Sequence, residues 1–195
     1  YDINNDNGIK ALTLVKDLVD AGSMSKEVIN WTQGDVMNQF ISGNIAMMVN
    51  GPWQVPTMRE QAPDLNWDVT LLPKDAEYAS CLGGENFGVI DGDNVDAALD
   101  FLQFATSKDE VASYIDDFGY IAARKDVAEG QFTDDETMQK FTEEMQYAQP
   151  RGPHAQWPEI SDALSLAVNE SITGTSAPAD AAAKAQSTID GILAE

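Results

Sequence analysis

His154 is the single histidine of this 195-residue chain and Cys81 its single cysteine, so nucleophilic chemistry has one base and one thiol to draw on. His154 sits between Pro153 and Pro158 in RGPHAQWP. That is a loop setting, not the packed site that tunes a general base. Cys81 precedes Gly83-Gly84, and nothing beside it in sequence would lower its pKa. It reads as a small apolar filler. No G-x-S-x-G elbow is present. One cysteine excludes an intrachain disulfide and a Cys-rich metal site. DGDN, residues 91–94, resembles the opening of a calcium loop, but the sixth and twelfth positions are Asp96 and Leu102 where an EF-hand has Gly and Glu. No Walker sequence and no G-x-G-x-x-G occur, so no metal or cofactor is expected. Carboxylate chemistry stays open: a glycosidase pair could exist among the 33 acidic residues, though no spacing selects one.

The aromatic and glycine pattern offers a different chemistry. In GNIAMMVNGPWQV, residues 43–55, the apolar run Ile45–Val49 reads as a buried strand with Met47 and Met48 in the core. Asn50-Gly51-Pro52 interrupts it, and Trp53 follows at the turn into a short helix. An indole there can be a flat, rigid platform for the axial C–H face of a sugar. In α/β sheets ligands collect beyond the carboxyl ends of strands, which is where this turn falls. The competing reading packs Trp53 beneath its own helix.

The elements that must position these residues alternate. NGIKALTLVKDLVDAG places Ile9, Leu12, Val15, Leu18 and Val19 on one helical face, with Gly22 as the stop. A second helix is expected from about Asp35 to Gly43. A short one has Pro52 in its first turn and ends at Pro63. Residues 67–73 read as a further strand, and 83–90 as a glycine turn entering another. Val95, Ala98, Leu99 and Leu102 share a helical face, SKDE (107–110) and TDDE (133–136) are capping boxes, and Pro158 and Pro178 open the last two helices. Strands separated by helices predict an α/β fold with a largely parallel sheet.

Composition narrows the partners. The chain is 43% hydrophobic and 23% charged, ordinary for a folded protein, but 33 acids against 11 Lys+Arg leave a net charge of −22. That sign makes nucleic acid a poor partner and disfavours anionic membrane surfaces, so no nucleic-acid partner is expected. No apolar run reaches the roughly 18 residues of a membrane span, so no direct membrane insertion is expected. The chain opens without a start methionine or signal peptide and reads as a mature chain or fragment.

Five stretches, in order, resemble one family. FISGNIAMMVNGPW resembles the F-x-x-G-x-x-A-M-x-x-x-G-x-W signature of family 1 extracellular solute-binding proteins, the maltose-binding-protein type that serves ABC importers. LGGENFGVI resembles the following glycine-pair turn, NVDAALDFLQFATSKDEVASY a helix pair, FGYIAARKDV the G-Y-x-P-x-R-K-D element, and residues 153–193 the closing helices. Ala122 replaces the usual proline of the fourth stretch, and ADAAAKA stands where E-E-A-L is commoner. The resemblance implies a periplasmic-binding-protein-like two-lobe fold, here a truncated C-terminal part. Residues 1–82 would be a second-lobe segment, 83–151 a crossover strand with helices that pack on the first lobe, and 152–195 second-lobe closing helices. It implies a solute, a mono- or oligosaccharide, held between the lobes, ABC importer membrane subunits as partners, and no catalysis. The location implied is extracytoplasmic, periplasmic or lipid-anchored. Carried over by position, the ligand-binding residues are Trp53, Gly84, Glu85, Asn86, Tyr120 and Arg151. Trp157 is expected to pack. The alternatives are a carbohydrate-active enzyme using a carboxylate pair and an interaction module using the acidic helical surface.

Overall fold

A computed structural model describes residues 1–194. Along the chain run α1 (Asp6–Asp20), α2 (Gln33–Ile41), α3 (Gln54–Gln61), β1 (Ser80–Leu82), α4 (Val95–Ala105), α5 (Lys108–Tyr114), α6 (Lys125–Ala128), α7 (Glu136–Glu144), β2 (Ala148–Pro150), α8 (Trp157–Thr173) and α9 (Pro178–Leu193). Single 3₁₀ turns occupy Lys26–Asn30 and Met145–Tyr147. The described residues divide into two compact units, 1–32 with 152–194, and Gln33–Arg151.

The first unit is a three-helix assembly of α1, α8 and α9. The Asn5 side chain accepts from the Gly8 N–H at 2.9 Å and so caps α1; Gly22, at φ +72°, follows its end. Leu12 and Val19 of the expected face are buried, Ile9 packs beside Leu12, and Leu18 remains 39% exposed. Leu12 meets Ala167, Ala181, Ala182 and Ala185, small side chains that let α8 and α9 approach closely. Ile160, Ala163 and Ile189 form a second cluster, with Trp157 packed against it as expected. Pro158 and Pro178 both fall in first turns. The start of the chain is tied to α9: the Ile3 N–H donates to Gln186 Oε1 at 2.9 Å, and Gln186 Nε2 donates to the Tyr1 carbonyl at 3.0 Å.

The second unit holds α2 to α7 and a two-stranded ribbon. β1 and β2 are parallel, in the register Ser80↔Ala148, Cys81↔Gln149 and Leu82↔Pro150. The connection between them carries α4 to α7, the long crossover a parallel pair requires. Val111, Ala122 and Val127 make one buried cluster, and Val55, Met58 and Met138 are also buried.

Several expectations are corrected. Residues 45–49, 67–73 and 83–90 form no strands; the one strand near the last of them is β1, at 80–82. An extended segment becomes a strand only when a neighbour takes its N–H and C=O groups, and no described segment does so here. Met47 is consequently no core residue: it is 86% exposed, and Val49 is 75% exposed. Met48 is half-buried. Cys81 lies exposed on the ribbon and fills nothing. On α4, Val95, Ala98 and Leu102 of the expected face are half-buried, while Leu99 is 46% exposed. Ser107 caps α5 by position without a side-chain hydrogen bond, and α7 is capped by Asp135, not Thr133. Pro52 precedes the capping residue of α3, which is Trp53 itself; Ala62 and Pro63 close that helix as expected.

Candidate functional site

All six residues expected to bind ligand fall within Gln33–Arg151, and the fold gathers them into two groups. The first is aromatic. Trp53 takes helical backbone angles (φ −60°, ψ −14°) at the start of α3 and uses no side-chain cap bond. Its ring centroid lies 5.9 Å from that of Tyr120, with the planes inclined by 34°. Offset, inclined ring pairs at this distance are attractive. Both side chains are half-buried, so the indole is neither sealed beneath its helix nor fully in solvent.

Tyr120 comes from the loop between α5 and α6, and Gln131 clamps that loop. Gln131 Nε2 donates to the Tyr120 carbonyl at 3.1 Å and to Asp116 Oδ1 at 2.6 Å. Its Oε1 accepts from the Ala122 N–H at 2.8 Å. A proline at 122 would have no N–H to give, so the departure from the family pattern at that position is matched by a hydrogen bond. Gln131 carried no signal in the sequence, because its partners lie nine to fifteen positions away in irregular chain.

The second group follows from the ribbon. β1 and β2 run parallel, so Gly83-Gly84-Glu85-Asn86 and Arg151 leave from the same, carboxyl, end. A methyl group on Gly83 would lie 3.5 Å from Arg151 Nη2. Gly84, Glu85, Asn86 and Arg151 are all exposed. The arrangement offers one carboxylate, one amide and one guanidinium to a polar ligand, with backbone approach unobstructed at Gly84.

Sequence reasoning missed a third aromatic group, in the other unit. Tyr1 lies 5.9 Å from Trp157, inclined 37°, and edge-on to His154 at 6.5 Å. Its members come from opposite ends of the chain, which no local pattern could connect. His154 Nδ1 accepts from the Gln156 N–H at 3.2 Å, a structural engagement that holds the ring in its own turn.

Charge at the second unit is organised by Arg59 and Asp135. Two parallel hydrogen bonds of 2.7 and 2.8 Å join them, and Asp135 also caps α7 by accepting from Met138 N–H at 3.1 Å. The guanidinium holds the Asp135 carboxyl below its usual range, and the carboxylate raises Arg59. Asp20 and Asp126 are likewise lowered, by Lys16 and Arg124. Among the described residues no cluster of three His, Cys, Asp or Glu could hold a metal ion, and no helix is long and apolar enough to cross a membrane.

Residues 1–140 match the family described as bacterial extracellular solute-binding protein. The chain belongs to that family. Binding proteins of Brucella abortus (strain 2308) and Brucella suis biovar 1 (strain 1330) are each 27% identical over 94% of this chain and 46% of their own length. An ABC transporter solute-binding protein from Thermotoga lettingae TMO, crystallised with alpha-D-tagatose, matches at TM-score 0.83 and 27% identity, over 98% of this chain and 50% of its own. The Listeria monocytogenes ABC substrate-binding protein in complex with cycloalternan and the cyclic alpha-maltosyl-1,6-maltose binding protein from Arthrobacter globiformis share the fold, at TM-scores 0.77 and 0.73 and 20% and 23% identity, over 98% of this chain and 50% and 49% of theirs. The chain thus spans about half the length of these relatives.

Proposed function

We propose that this chain is the C-terminal half of the saccharide-binding component of an ABC importer. The observation that carries the reading is the half-buried Trp53–Tyr120 pair, an aromatic surface of the kind sugar rings stack on. Glu85, Asn86 and Arg151, with the Gly84 backbone, supply hydrogen-bonding groups that would fix a polar ligand's orientation. The relatives support it, since one is crystallised with tagatose and another with cycloalternan.

In this reading residues 1–82 and 152–195 belong to the second lobe, while 83–151 supply a crossover segment and helices that pack on the first. The exposed Phe87, Ile90, Leu99, Phe101, Phe104 and Phe118 all fall in that middle stretch and agree with such a role. The intact protein closes around solute because the ligand binds the closed state more tightly. It works outside the cytoplasm, in the periplasm or lipid-anchored at the outer face of the membrane, and hands its solute to the importer's membrane subunits. It has no catalytic role. Titration calorimetry of the full gene product against D-tagatose, cyclic maltosyl-maltose and cycloalternan tests the reading. Binding of at least one supports it; no heat with any of them counts against it.

A further inference from the structure

Two glycines bracket the Trp53–Tyr120 pair, and each is filled by its neighbour. A methyl group on Gly51 would lie 2.1, 2.2 and 2.4 Å from Cη2, Cζ3 and Cζ2 of Trp53, inside the van der Waals envelope of the six-membered ring. Gly51 is buried. Its N–H donates to Asn50 Oδ1 at 3.0 Å and its carbonyl accepts from the Gln54 N–H at 3.2 Å, so the seat is tied into the turn on both sides. Gly119 meets the far side of the same turn. A methyl group there would lie 2.8 Å from the Pro52 carbonyl oxygen and 2.8 Å from Pro56 Cδ, and its φ of +66° is a conformation L side chains rarely adopt. Tyr120 is the next residue, so this fit delivers its ring to Trp53.

We propose that Gly51 and Gly119 are positioning residues of the saccharide platform: Gly51 seats the indole, and Gly119 presses the Tyr120 loop onto the Pro52–Pro56 turn. The inference rests on the saccharide reading of this pair. The obstructing atoms at Gly51 belong to a side chain that can swing away, so an added methyl displaces the indole and leaves the backbone in place. The tilt of Trp53 against Tyr120 is therefore set by an absence of side chain at position 51, and the platform is formed before ligand arrives.

The test uses the full gene product labelled with 5-fluorotryptophan. Four of the fluorine resonances come from the tryptophans of this chain, and Trp53→Phe identifies that of Trp53. In Gly51→Ala the Trp53 resonance is expected to shift while those of Trp31, Trp67 and Trp157 hold. Affinity for whichever of D-tagatose, cyclic maltosyl-maltose or cycloalternan the unaltered protein binds is expected to fall roughly tenfold. Gly119→Ala is expected to do the same; should it fail to fold, Gly51→Ala, at a position without positive φ, decides alone. An unmoved Trp53 resonance in folded Gly51→Ala, or a moved resonance with unchanged sugar affinity, would overturn the positioning role. If the unaltered protein binds none of the three sugars, the saccharide reading itself is overturned, and the positioning proposal that rests on it falls with it.

Discussion

Asp135 shows how much one side chain does for the second unit. It caps α7 and pairs bidentately with Arg59, which is half exposed. Asp135→Asn keeps the cap and loses the ion pair, which at that exposure costs about 1 kcal/mol or less. Asp135→Ala loses both, about 1–2 kcal/mol, measured by urea denaturation. The pH dependence has a definite sign. A carboxyl lowered on folding contributes stability that is complete above its unfolded value, about pH 4, and lost as pH falls through the folded value beneath it. The stability gap between the unaltered protein and Asp135→Asn should therefore be constant from about pH 5 to 7 and shrink below about pH 4. A gap that widens on acidification would contradict the pairing. At this scale the sequence placed Trp53 at the turn into a short helix, where the structure has it, and left its two roles open. Tyr120 was reached only by resemblance, and Gln131 not at all, since each acts through partners distant in sequence.

Helices were legible because their signals are local. Gly22, Pro158 and Pro178 stand where a stop and two first turns put them. Strands were not, because a strand is defined by its neighbour. Ile45–Val49 has the composition of one and no partner, whereas the three-residue β1 pairs with β2 despite carrying no strong pattern. The α1–α8–α9 assembly depends on small side chains instead of large ones. Ala182 is fully buried, so Ala182→Leu should overpack the contact and cost about 1–3 kcal/mol. A thermal melt reads this as a lowered midpoint; an unchanged or raised one would mean that α9 has room to move away from Leu12 and α8.

Across the whole molecule the surface holds two oddities. A net charge of −22 keeps the chain soluble and repels nucleic acid. Yet Met47, Val49, Phe87, Ile90, Phe101 and Phe104 stand more than half exposed, Ile90 at 92%. Scattered apolar residues are ordinary on a surface, but this many in Gln33–Arg151 fit a unit that a further part of the protein covers. The 195-residue chain should thus bind an apolar dye such as ANS strongly, and the full gene product should bind it weakly. Equal dye binding would leave those side chains without a cover. Composition could show the acidity but not this exposure, because whether Phe101 or Phe104 of α4 is covered depends on what packs over it.

Sugar stacking on Trp53 is the claim most directly open to measurement. Calorimetric titration of the full gene product with D-tagatose, cyclic maltosyl-maltose and cycloalternan, repeated with Trp53→Ala, measures it. Saturable binding of one sugar, weakened roughly tenfold or more in the folded variant, is the predicted result. Binding that is identical with and without the indole would contradict it.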